Sequence, residues 1–139
     1  MRVPAKEVAL MMEVGHLCRY ARRFREAQQI FQGVGALLPA RDIADLGLAA
    51  VACDELKFEE AERLCRRVLH SDSRNVAAYA QLAEVQIGCN DIGSAKNTLK
   101  AARDLRPVEP LVSLVSSLQR LVDLLQKLQH AETPKLVAR

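Results

Sequence analysis

The feature that most constrains this chain is a spacing. The segments Arg23-Phe24-Arg25-Glu26-Ala27, Lys57-Phe58-Glu59-Glu60-Ala61 and Asp91-Ile92-Gly93-Ser94-Ala95 end on alanines at 27, 61 and 95, a step of 34 residues each time. Twelve residues beyond each alanine stand Pro39, Ser73 and Pro107, in the same step. A fixed period of this length means one supersecondary unit copied along the chain, with each copy burying its apolar face against the next. At 139 residues the chain has room for one such array and not for a second domain of similar size.

Composition selects the kind of unit. Half of the residues are hydrophobic, yet only 4% are aromatic, Trp is absent, and there are 6 Gly and 5 Pro. Few turn formers and few β-branched runs in an Ala- and Leu-rich chain predict an all-α fold. The same figures exclude collagen-like, disordered and disulfide-scaffold classes.

Period and residue order together resemble the tetratricopeptide repeat, whose pattern reads W-x2-L-G-x2-Y, then A-x3-F, then P. The repeats fall at 8–41, 42–75 and 76–109. Met11, Asp45 and Tyr79 take the Trp position, and Val14, Leu48 and Leu82 the Leu position. The Gly position holds Gly15, Ala49 and Ala83, the Tyr position Cys18, Ala52 and Gln86, and the Phe position Phe31, Cys65 and Leu99. Asp45, Ala52 and Gln86 depart from the pattern without breaking the period. The resemblance implies an α-solenoid of three helix pairs, over 8–21 and 24–37, 42–55 and 58–71, and 76–89 and 92–105. Small residues at Gly15, Ala49 and Ala83 suit close crossing over Ala27, Ala61 and Ala95. Asp42 and Asn75 are placed to cap the second and third A helices.

Beyond Pro107 and Pro110, apolar residues recur in steps of three and four at Leu111, Leu114, Val115, Leu118, Leu121, Val122, Leu125 and Leu128. This predicts a C-terminal amphipathic helix over 110–130 that caps the third repeat. Leu114, Leu118, Leu121 and Leu125 are its candidate residues for a partner or for self-association in a homodimer. The domain is expected over 1–130, with a mobile tail at 131–139.

Catalysis is not expected. His16, His70 and His130 share no metal-ligand spacing with the four cysteines or the carboxylates, so no metal or other cofactor is implied. No Gly-rich phosphate loop, G-x-S-x-G turn or H-E-x-x-H helix occurs. Cys18, Cys53, Cys65 and Cys89 form no C-x-x-C pair and read as small apolar core residues in a reducing cytoplasm. A net charge of +3, from 20 basic and 17 acidic residues, argues against a nucleic-acid partner. The longest charge-free stretch, Ala27 to Ala40, is shorter than the roughly 20 residues a membrane span needs. Glu7 and Glu13 interrupt the apolar residues that a signal peptide would require. A cytoplasmic location follows as the expectation.

Binding then belongs to the surface of the stack. In tetratricopeptide arrays the A helices line a concave groove, and the resemblance carries its contact positions onto this chain. The candidates are Met12, His16, Arg19 and Tyr20 in the first repeat and Ile43, Leu46, Gly47, Ala50 and Asp54 in the second. The third repeat adds Ala80, Gln81, Glu84 and Ile87. Chaperone-docking members of the family fix a terminal carboxylate with Lys and Asn at such positions. Met12, His16, Gly47, Ala77 and Gln81 stand there here and offer no such clamp. An apolar stripe with short side chains suits an inserted amphipathic helix or an extended apolar peptide.

A free-standing array with one terminal helix resembles the small chaperones of bacterial type III secretion, which cradle an export substrate. Repeat one starts close to the N-terminus and leaves no room for the extra helix of translocator chaperones. The resemblance therefore implies a needle-type or other early component as the partner, a small helical or extended secreted or export-apparatus protein. The competing reading is a structural adaptor or dimerisation protein with no export role.

Overall fold

The computed structural model describes residues 3–137. Its helices are α1 Ala5–Tyr20, α2 Phe24–Leu37, α3 Asp42–Asp54, α4 Phe58–Ser71, α5 Val76–Gly88, α6 Ile92–Asp104 and α7 Leu111–Val137. Five of them, α2 to α6, lie within a residue of the sequence expectation. The first begins earlier, at Ala5, because Pro4 is compatible with a helix start and Ala5-Lys6-Glu7 are good helix formers.

Capping differs in part from expectation. Asn75 does cap α5, its side-chain oxygen accepting from the Ala78 N–H at 3.0 Å. Asp91 caps α6 in the same way, accepting from the Ser94 N–H. Asp42 is instead the first helical residue of α3, and its carboxylate accepts from the Ser71 hydroxyl across the second helix pair. There the acidic group still complements the helix dipole.

The pairs α1/α2, α3/α4 and α5/α6 pack antiparallel, and α2, α4 and α6 each touch the helix that follows. Contacts also run from α1 to α3, α3 to α5, and α5 to α7. The result is two layers, with α7 in the place an A helix of a fourth repeat would take. The three turns inside the repeats are copies of one another. Arg22, Leu56 and Asn90, again 34 residues apart, adopt left-handed backbone at φ of 62, 64 and 63°. In each turn the next N–H bonds a carbonyl five residues back at 2.8 Å: Arg23 to Cys18, Lys57 to Ala52, and Asp91 to Gln86. This closes the A helix by satisfying its last carbonyls.

Inside the stack, Ala27, Ala61 and Ala95 are fully buried. The largest buried side chain is Phe31, wedged between two glycines. A Cβ on Gly15 would stand 2.5 Å from its ring, and one on Gly47 2.7 Å. Departures from the repeat pattern have structural causes. Asp45, buried where the pattern has Trp, receives two hydrogen bonds from the Arg67 guanidinium at 2.9 and 3.2 Å, with Arg41 at 3.8 Å. Gln86 is buried and accepts from the Thr98 hydroxyl at 2.7 Å. Ala52 packs with Ala61 and Val85 between repeats two and three.

The last helix closes the far end. Val115, Leu118 and Val122 are buried against Ala83, Leu99 and Ala102, with Leu125 packed at the margin. Helix α7 continues past residue 130, where the apolar periodicity ends, to Val137. The expected mobile tail at 131–139 therefore begins as helix, since Gln126 to Glu132 are helix formers that need no buried face to propagate one already started. Residues 1–2 and 138–139 lie outside the described residues.

Candidate functional site

Counting the period one step further reveals how the concave layer is built. Met12, Leu46 and Ala80 stand 34 residues apart, and the next step is Leu114 on α7. All four line one open groove of about 310 Å³, together with Ile43, Gly47, Ala77, His16, Gln81 and Glu84. The groove thus has an apolar floor drawn from α1, α3, α5 and α7 and a polar edge formed by three side chains.

That edge is an electrostatic cluster. Arg19 Nε lies 2.7 Å from Asp54 Oδ2, an ion pair whose N–H is not aligned for a hydrogen bond. Arg19 Nη1 donates to His16 Nδ1 at 3.0 Å, which requires that nitrogen unprotonated. Burial, followed by the Arg19 cation, lowers the His16 pKa, and Asp54 opposes the shift. The His16 ring also leans on Phe31 at 5.0 Å between centroids, so the groove wall rests on the stack interior. Glu84 is half-buried, and burial is the largest cause that raises its pKa; Arg19 and Gln81 pull it down, and Asp54 pushes it up. Its hydrogen bond from the Gln81 amide is long, at 3.4 Å.

Of the candidates named from the sequence, Met12, His16, Ile43, Leu46, Gly47, Ala80, Gln81 and Glu84 come together in the groove. The others sit elsewhere. Ala50 is 2% exposed and fills the space between A helices. Ile87 packs against the C-terminal core. Tyr20 points outward under the Arg19 guanidinium, 4.7 Å away, and Arg19 and Asp54 pair beside the groove. Gly47 lines the wall, but its missing side chain makes room for Phe31, not for a guest. On α7, Leu118 is buried and Leu125 half-buried because that face covers α5 and α6, so only Leu114 and Leu121 of the four named remain outward.

Two features go beyond the sequence expectation. Leu114, a partner candidate on the last helix, belongs to the groove, where its register with Met12, Leu46 and Ala80 places it. Leu10, Val14 and Leu17 form an exposed apolar row on α1, legible in their steps of four and three. The cysteines also divide. Cys65 is buried, its thiol pushed up to about 12 by burial, while Cys89 is exposed at the end of α5 and does not fit the core reading. No helix among the described residues is long and apolar enough to cross a membrane, and none of them form a group of metal-ligating side chains.

Comparison with known proteins fits this architecture. A tetratricopeptide repeat family model matches residues 54–118. No curated protein sequence matches the chain. The type III secretion translocator chaperone SycD of Yersinia enterocolitica superimposes with a TM-score of 0.68 at 17% identity, covering 88% of this chain and 96% of that one. PcrH, solved in complex with the chaperone binding region of PopB, gives 0.64 at 20% identity over 85% of this chain and 99% of that one. The second such domain of human RPAP3, in complex with an HSP70 peptide, gives 0.59 at 17% identity over 82% and 97%. At these identities the likeness is one of fold.

Proposed function

We propose that this tetratricopeptide-repeat protein is a non-enzymatic, cytoplasmic chaperone that holds an apolar segment of a type III secretion substrate in its concave groove. The observation that carries the reading is the row Met12, Leu46 and Leu114, which with Ile43 gives the groove an open apolar floor over the buried Ala80. Exposed apolar surface of this kind is maintained in proteins that bind. A segment laid along the floor buries alternate or helically spaced side chains, and the polar edge fixes its direction.

Two likenesses bear on the client. SycD is a type III secretion translocator chaperone, and PcrH was solved with the chaperone binding region of PopB. They favour a translocator-like client over a needle-type or other early component. The RPAP3 domain was solved with a peptide, but the positions that would clamp a terminal carboxylate hold Met12, His16, Gly47, Ala77 and Gln81 here, with no lysine or asparagine among them. The adaptor reading draws on the outward row of Leu10, Val14 and Leu17, a surface that a folded partner or a second copy would cover.

Co-expression with each small open reading frame of its gene neighbourhood tests the proposal. A chaperone co-purifies with one of them as a stoichiometric complex. Leu46→Glu, which puts a charge on the groove floor, abolishes that complex and leaves helical circular dichroism intact. A complex that survives Leu46→Glu, or a chain that takes no neighbour, favours the adaptor.

A further inference from the structure

Within that reading, the charges along the groove do not balance. Arg19 is committed twice, to Asp54 at 2.7 Å and to the His16 ring at 3.0 Å. Asp54 is therefore answered. Glu84 is answered less: its one hydrogen bond is the 3.4 Å bond from Gln81, and Arg19 acts on it only from beyond ion-pair distance, yet it lines the same apolar groove. A guest that covers Leu46 and Ile43 in the same groove also takes water away from this carboxylate. Removing an ionised carboxylate from water without a partner is unfavourable, and the guest must supply a donor or lose affinity.

We infer that the segment bound in this groove carries a lysine or arginine beside its apolar anchors and pairs that cation with the Glu84 carboxylate. A long basic side chain meets both demands, since its methylene stem lies along the apolar floor while its head reaches the wall. Burial already holds the Glu84 pKa up, and an incoming cation reverses that shift by favouring the ionised form. A neutral donor leaves the negative charge in place. An acidic guest opposes it. The inference rests on the groove being the binding site, and its test separates the two.

The test is selection of a random twelve-residue peptide library on the full chain, its Glu84→Gln variant and its Leu46→Glu variant. The expected result is enrichment of apolar residues with a nearby Lys or Arg on the wild type. On Glu84→Gln the apolar enrichment remains and the basic one disappears. A selected peptide should lose about tenfold in affinity when its cation is replaced by norleucine, and nothing further on Glu84→Gln. Apolar enrichment with no basic preference, or with an acidic one, overturns the Glu84 pairing and leaves the groove standing as the site. No enrichment above the Leu46→Glu background overturns both.

Discussion

Two rows of equivalent positions run through this stack and obey different rules. One lies between the layers and holds Phe31, Cys65 and Leu99; the other runs behind the groove and holds His16, Ala50 and Glu84, of which His16 and Glu84 reach the groove and Ala50 is buried between A helices. In the interior row, side-chain sizes vary but their surroundings compensate. Phe31 faces Gly15 and Gly47, Cys65 faces Ala49, Leu64 and Leu82, and Leu99 faces Ala83 and Ala95. Native packing density forces this exchange of volume, because a void or a clash in one repeat is felt by its neighbours. In the groove row nothing compensates. An imidazole, a methyl group and a carboxylate follow one another, and the carboxylate has only a long bond to an amide. The difference teaches that the interior row fixes the stack and the groove row is free to specify what is held.

The interior row breaks most readily at its largest member. Phe31→Ala removes a fully buried ring and leaves two glycines unable to fill the space, and should cost about 3–5 kcal/mol. Cys65→Ala, at the equivalent position, should cost only about 1 kcal/mol, because one small group is lost among residues that already pack closely. Urea denaturation of the two variants gives the contrast directly. Similar losses would mean that the row does not divide its volume as described.

A smaller effect tests the compensation itself. Gly47→Ala places a Cβ 2.7 Å from the Phe31 ring and should destabilise by about 1–3 kcal/mol. Combined with Phe31→Leu, the same substitution should become nearly neutral, since the shorter side chain vacates the space. A double-mutant cycle reads this as a coupling between the two sites. Additive losses would show that Gly47 serves the backbone and not the ring.

Much of this architecture is legible in the sequence, for physical reasons tied to particular residues. The alanines at 27, 61 and 95 announce the period because only a small side chain fits where the helices of a pair cross. The helix limits follow from the period and from residues such as Asn75. What escapes is context. Asp45 and Gln86 look like flaws in the pattern until Arg67 and Thr98 appear beside them from another helix. Gly47 reads as room for a guest, and Ala50 as groove lining, because a linear pattern does not tell which wall a small residue serves. Leu114 keeps the 34-residue step from Ala80, but it lies beyond Pro107, where the third repeat ends and the repeat pattern no longer assigns a groove position. For the last helix, periodicity gives an apolar stripe without dividing it into the buried Leu118 and the outward Leu121.

The smallest predicted effect sharpens the groove row and depends on pH. His16 and Glu84 shift in opposite directions, burial being the largest cause in both, with Arg19, Asp54 and Gln81 the groups that act on them in addition. For Glu84 the folded pKa lies above the unfolded one, so the folded state binds the proton more tightly and loses stability as the pH rises through the folded value. For His16 the folded pKa is lowered, and stability is lost as the pH falls through it. Glu84→Gln removes the first dependence and keeps the second. Its melting temperature should therefore match the wild type below pH 4.5, the ordinary carboxylate value, and rise above it at neutral pH. Saturating a Lys-bearing guest should reverse the order at neutral pH, because only the wild type gains the pair. A variant less stable than the wild type at neutral pH without a guest would show that the carboxylate is already satisfied, and the groove row would then follow the same rule as the interior.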